Sequence, residues 1–268
     1  MSDTVAAFLD ECSDLDALVA GLDEAGWSRD TPAAGWTIAH QIAHLAWTDE
    51  VAHLAATAPE QFDAELQVAM RDPFGHADTR AAEGAGAPPA ELLTRWRTGR
   101  KRLATALREV PEGIKLPWFG PPMSARSMAT ARLMEMWAHG QDVADALGVR
   151  REPTDRLRDI CHLGVRTRDF AYVINDLPVP SAPFAIRLTS PGGEVWEWGT
   201  LRGSAADGLA PQGPDHGAVT GSAEDFALVV TQRREVGDTG LVATGEAAHW
   251  LTFAQVFAGP PKGAGAQA

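Results

Sequence analysis

The sequence predicts a mainly α protein: a helical bundle over residues 1–176, then a small α+β domain over 183–260 and a flexible tail at 261–268. Three observations predict it. Apolar residues recur at spacings of three and four through most of the first 175 residues. The run PVPSAP at 178–183 marks a linker. Beyond it, apolar and polar residues alternate singly, the period of a half-buried strand. A chain of 268 residues, 45% hydrophobic, suits two domains with real cores.

The elements follow in order. Phe8, Leu15, Leu18 and Leu22 share helical spacing, so the first helix spans 4–25, ahead of Gly26. The second spans 37–57, with Thr37 as N-cap and Ile38, Ile42 and Leu45 on one apolar line. His40, His44, Trp47 and Val51 lie on a neighbouring face. Phe62, Leu66 and Met70 give a short extension over 60–71, and the glycines and prolines from Asp72 to Pro89 read as a loop. Pro89 suits the first turn of a third helix to about Arg108. The basic face of that helix (Arg95, Arg97, Arg100, Lys101, Arg102) reads as solvated, offsetting acidic neighbours, in preference to an anionic-ligand site. Next comes KLPWFGPPMSAR, a stiff loop whose Trp118 and Phe119 are either a lid or, the preferred reading, a plug over the bundle end. A fourth helix covers 124–148, with Ser124 as N-cap and Gly148 as terminator, and a fifth covers 154–174 with His162 as a structural residue. In the second domain, FAIRLTSPGGEVWEWG is a hairpin signal. A strand then turns into a helix at Ser222, and a further strand and helix close the domain.

The 124–148 helix organises the chemistry. Met128, Arg132, Glu135, His139, Asp142 and Ala146 recur at alternating spacings of four and three, so they project as one seam on an otherwise apolar helix. Glu135 and His139 are one turn apart, which lets a carboxylate and an imidazole reach one ion. His44 or His40 on the second helix is the natural source of a further ligand. Three protein ligands leave the open position that catalytic zinc uses. Arg132, one turn before Glu135, could instead pair with that carboxylate. Asp142 and Asp49 are candidates to accept the free N–H of a ligating histidine.

The stretch W-T-x-x-x-x-x-A-H-L from Trp36 to Leu45, together with E-M-W-A-H-G-Q-D-V-A-D-A-L-G from Glu135 to Gly148, resembles the DinB-like superfamily. More narrowly it resembles the metal-binding N-terminal domain of the mycothiol-dependent maleylpyruvate isomerases of actinobacteria. The similarity covers roughly residues 5–175. It implies a DinB-like four-helix bundle holding a divalent ion, zinc first, with nickel, manganese or iron as alternatives. By position the ligands are His44, Glu135 and His139, with His40 a possible fourth. The family's C-terminal α+β domain agrees with the order of parts here, and its matching helix tends to carry an arginine where Arg233 and Arg234 stand, making these two the anion-binding candidates.

The resemblance implies an enzyme that activates a low-molecular-weight thiol, mycothiol, as a metal-bound thiolate. The thiol would be transferred to an electrophilic small molecule or used to isomerise it. A metal-dependent hydrolase using bound water, with Glu50 as spare carboxylate, is one alternative; a non-enzymatic carrier of a metal and an apolar ligand is another. The net charge of -13 argues against a nucleic-acid partner. Two distant cysteines, Cys12 and Cys161, suggest a reducing compartment and a thiol supplied from outside. The N-terminus is acidic and amphipathic, unlike a signal peptide, and no apolar run spans a bilayer, so a cytoplasmic protein is expected. The sequence sets neither the acceptor nor the oligomeric state.

Overall fold

The computed structural model describes residues 2–199, 217–257 and 259–262. By its contacts the chain forms two compact units, Met1–Arg151 and Glu152–Ala268.

The first unit is a four-helix bundle of α1 (Ser2–Val19), α3 (Ile38–Thr57), α6 (Pro89–Glu109) and α7 (Ala125–Leu147). Helix α3 packs on α6 and α7, and α1 packs on the same two. Phe8, Leu15, Ile42, Leu45, Leu92, Trp96, Leu103, Leu133 and Met136 fill the interior. Both long site helices begin and end where local chemistry requires. Ser124 accepts from the Ser127 N–H to cap α7, and Gly148 ends it at φ 68°, a left-handed conformation that suits glycine. Thr37 starts α3 through a reciprocal capping box with His40.

Several boundaries differ from the periodicity. The first predicted helix breaks after Val19, and Asp23 caps a separate turn, α2 (Glu24–Trp27), by accepting from the Gly26 N–H at 2.8 Å. The segment expected as a loop at 72–89 contains a helix, α5 (His76–Ala85), after α4 (Pro59–Ala69). Its buried face is His76 and Ala81, and a Cβ on Gly84 would sit 2.8 Å from the Ala43 Cβ on α3. So close an approach demands the small residues that disguise the helix as a loop. Lys115–Leu116 (β1) pairs with Met123–Ser124 (β2) across the proline-rich loop. Trp118 and Phe119 between them pack on Phe62 beside Val51 and Ala55, which makes them a plug.

The second unit carries a sheet of order β4-β3-β5-β6, from β3 (Ala185–Thr189), β4 (Val195–Trp198), β5 (Gly217–Ser222) and β6 (Val242–Thr244). The β3–β5 pair is parallel and the other two are antiparallel. Helices α10 (Ala223–Val230) and α11 (Gly245–Leu251) follow β5 and β6, and Phe184, Phe226 and Trp250 form the centre of this core. The predicted helix 154–174 is two helices, α8 (Leu157–Arg166) and α9 (Arg168–Ile174). Helix α8 packs on α10, with Gly164 beneath Val230 and Phe226, so this pair groups with the second unit and the division falls at 151, ahead of the 178–183 linker. Trp198 Nε1 donates to His162 Nδ1 at 3.2 Å, a structural role for that histidine.

Arg233 and Arg234 are not in a helix. The Thr231 hydroxyl bonds back to the Ala227 carbonyl and Gln232 turns left-handed at φ 61°, which ends α10 before them. Residues 200–216, before the strand that leads into α10, and the tail from 263 lie outside the described residues. Among the described residues no helix is long and apolar enough to cross a membrane.

Candidate metal centre

Helices α3 and α7 bring His44, Glu135 and His139 together, their ligand atoms all within 4.8 Å of one another. His44 Nε2 lies 3.4 Å and His139 Nε2 3.2 Å from the same oxygen, Glu135 Oε2. Donors held at about 2.1 Å by one ion lie about 3.0 Å apart at right angles and about 3.4 Å apart in a tetrahedron. Both observed separations fall in that range. The side chains are 11%, 22% and 13% exposed in the order His44, Glu135, His139, so the group is screened from water yet reachable. Burial alone would raise the Glu135 carboxyl, but the imidazoles of His139 and His44 outweigh it and hold the group well below the usual carboxylate range.

A hydrogen-bond relay decides which nitrogen of His139 faces Glu135. The Thr31 hydroxyl donates to the Trp36 carbonyl at 2.8 Å, so its oxygen accepts from Gln41 Nε2 at 2.9 Å. That fixes the Gln41 amide with its oxygen toward His139 Nδ1, 2.5 Å away. Nδ1 therefore carries the hydrogen, and Nε2 of a neutral ring presents a lone pair to a carboxylate oxygen. Two lone pairs at 3.2 Å repel unless a cation, proton or metal ion, sits between them. The donor set fits a divalent metal ion on these grounds.

Neighbouring residues support this arrangement. Gly35, at φ 77°, turns the chain so that Trp36 stacks on His139 at 5.9 Å between ring centroids and 14° between planes. Trp36 Nε1 donates to Asp78 on α5 at 2.9 Å, fixing the indole over the site. Trp47, 5.9 Å from the His44 ring, donates to Glu65, which also accepts from Arg80 and faces His76 Nε2 at 3.1 Å.

Not every candidate joins the centre. His40 lies outside the three-residue group; its Nδ1 is 2.8 Å from Thr37 Oγ1 and 3.3 Å from the Thr37 N–H that it caps. Arg132 does not turn to Glu135. Its Nε donates to Asp49 Oδ1 at 3.0 Å, with both side chains buried. Asp49 is thereby engaged by an arginine, and burial, opposed by Arg132, pushes its carboxyl up. Asp142 Oδ2 stands 3.8 Å from His139 Nδ1, outside the Gln41 contact. Glu50 pairs with Arg102 at 3.4 Å. Arg233 and Arg234, in the second unit, donate to the Thr231 and Arg233 carbonyls at 2.7 Å. Gln41 and Thr31 were absent from the sequence-derived set. The one available signal was that Gln41 precedes His44 by three residues and so shares its helix face.

Comparison with known proteins adds the following. Residues 8–144 match the family described as the mycothiol maleylpyruvate isomerase N-terminal domain. Uncharacterized proteins from two strains of Mycobacterium tuberculosis are 54% identical over 258 residues, covering 96% of both chains. Crystal structures of the mycothiol-dependent maleylpyruvate isomerase and of a mutant of it match at TM-scores of 0.56 and 0.58 and 18% identity. Each match covers 91% of this chain and 92% of the other. At that identity the likeness is one of fold.

Proposed function

The chain belongs to the family of the mycothiol maleylpyruvate isomerase N-terminal domain, and from that premise we propose a metal-dependent enzyme that activates a low-molecular-weight thiol. Mycothiol is the thiol of first choice, used to modify or isomerise an electrophilic small molecule in the cytoplasm. The observation that carries this reading is the convergence of two imidazole Nε2 atoms on one Glu135 oxygen, with the second nitrogen of His139 committed to Gln41. His44, Glu135 and His139 would hold the ion, zinc first, with nickel, manganese or iron accepted by the same donors. When bound, such an ion favours the anionic form of a thiol brought to it.

The chain's own residues do the rest. Glu135 offsets cationic charge between the imidazoles, and Gln41 keeps the His139 lone pair directed inward. Asp142 lies close enough to His139 to support the ring as it takes on positive character. Trp36 covers one face of His139 and limits water access. Asp49 draws Arg132 away, so Glu135 remains available. An anion-binding role for Arg233 and Arg234, within the second unit, is carried from the family resemblance as part of the same proposal. Hydrolysis is less well supported, because Glu50, the spare carboxylate it would use as base, lies outside the group formed by His44, Glu135 and His139 and faces Arg102 instead. The carrier reading needs a fourth protein ligand, and His40 is occupied as a helix cap.

The test is a cobalt-substituted sample titrated with mycothiol, bacillithiol and glutathione. A saturable thiolate-to-metal charge-transfer band with mycothiol, lost in His44→Ala and His139→Ala, is expected. Cobalt binding with no band for any thiol would overturn thiol activation, and absence of cobalt binding would overturn the metal centre itself.

A further inference from the structure

We propose that a cleft on the first unit, between α3, α5 and α6, binds a small organic anion with a flat apolar body, at a site separate from His44, Glu135 and His139. The cleft has a volume of about 480 Å³, within the size range of small-molecule sites. Its apolar lining comes from Ala43, Ala46 and the Trp47 indole, with Gly84 and Gly99 leaving the space open.

The two glycines differ in a telling way. Gly84 is explained by packing, because a Cβ there would collide with Ala43. Gly99 is not. It lies in the middle of the 21-residue helix α6, where glycine is less stable than alanine, yet an added Cβ would meet nothing within 4 Å beyond the helix's own neighbouring backbone and the adjoining residues. Neither close packing nor a special backbone conformation calls for a glycine there; what a side chain would do is fill the cleft.

Charge supplies the second observation. Arg95, Gly99 and Arg102 stand at i, i+4 and i+7, so the guanidinium groups flank the glycine on one stripe of α6. Arg95 makes no hydrogen bond or ion pair with any described residue, and its Nη2 reaches to 3.1 Å from where a Gly84 Cβ would sit. Arg102 meets Glu50 at 3.4 Å with both side chains about half exposed, a weak contact that an incoming anion can displace. Arg80, also in the lining, is taken by Glu65 and Glu83. Glu50 and Glu83 line the cleft as well, each already paired, and Glu91 sits on the adjoining rim. Arg95 is thus the cation left to recognise a carboxylate or phosphate, while Trp47 and the alanines receive a flat apolar body.

The full-length chain is titrated with 8-anilinonaphthalene-1-sulfonate, an aromatic anion whose fluorescence rises on binding. One saturable site, weakened by salt, is expected. Gly99→Leu removes it without lowering the urea midpoint, since leucine favours the helix. Arg95→Gln weakens it about tenfold, as loss of one charge-assisted contact does. Displacement by 2-naphthoate alone assigns carboxylates, and displacement by 2-naphthyl phosphate alone assigns phosphates; displacement by both assigns aromatic anions generally. Absence of saturable binding, unaltered binding in either variant, or displacement by neither competitor overturns the proposal.

Discussion

Gln41 shows how much of a site one amide can decide. Its oxygen faces His139 because its nitrogen is committed to Thr31, and that commitment selects the tautomer of the imidazole one helix away. Replacing Gln41 with alanine is expected to lower divalent-ion affinity on the order of 10- to 100-fold while the helical circular dichroism stays unchanged. Cobalt titration against a competing chelator measures it; undiminished affinity would show that the relay has no part in ligand orientation. The Asp49–Arg132 pair behaves differently. Removing only Arg132 leaves a buried carboxylate without its cation and should cost about 3–5 kcal/mol in urea unfolding. Substituting both residues with apolar ones should cost far less, and equal losses in the two variants would contradict this account. Glu135 and His139 were legible in the sequence because helical spacing puts them on one face; spacing left His44 and His40 both open, and the resemblance to the family pointed to His44. Gln41 and Thr31 were not legible, because their connection depends on how the loop at 31–36 folds back. Spacing could offer Arg132 only a neighbour on its own helix, Glu135, as an alternative partner, whereas the partner it takes, Asp49, is on α3.

At the scale of elements, the basic face of α6 divides into parts that sequence alone could not separate. Arg97 and Arg100 both bond to Asp16 on α1, and Arg100 also donates to the Cys12 carbonyl at 2.9 Å, so Arg100 is buried and not solvated. Arg95 faces the cleft. The hydrogen bond from Arg97, the first cause, with Arg100 beside it, outweighs burial and holds the Asp16 carboxyl below its usual value. A carboxyl with a depressed folded pKa contributes stability above its unfolded pKa, about 3.9, and loses it as the pH falls through the folded value. Asp16→Asn should therefore destabilise the protein by about 2 kcal/mol at pH 7. The gap between variant and wild type should narrow below about pH 4, as the wild-type carboxyl is itself protonated. Urea midpoints at pH 7 and pH 3 check this, and a gap that widens in acid would reverse the sign. Helix α5 was missed for a reason that also belongs to this scale. Its packing on α3 requires alanine and glycine, and those residues carry almost no hydrophobic periodicity.

Across the molecule, the two cysteines divide between the two units: Cys12 on α1 in the first and Cys161 on α8 in the second, both fully buried. Burial is the largest influence on each and pushes both thiols up, away from the reactive thiolate. Both of the chain's own thiols are thereby kept inert, which agrees with the proposal that the reacting thiol is supplied from outside. The linker composition at 178–183 is plain in the sequence, but it does not reveal which core the preceding helices join. Helix α8 carries an apolar face that could serve either core, and only its fit beneath Phe226 and Val230 assigns it to the second. Because each unit has its own core and its own cysteine, a disulfide-exchange reagent reports on them separately. In native buffer neither thiol is expected to react over minutes, and in urea each becomes reactive as its own unit opens. Mass spectrometry of labelled peptides across a urea series should give one midpoint for Cys12 and a different one for Cys161. Coincident midpoints would mean that the two units unfold as a single cooperative body, and rapid labelling of either residue in native buffer would remove the argument that the reacting thiol comes from elsewhere.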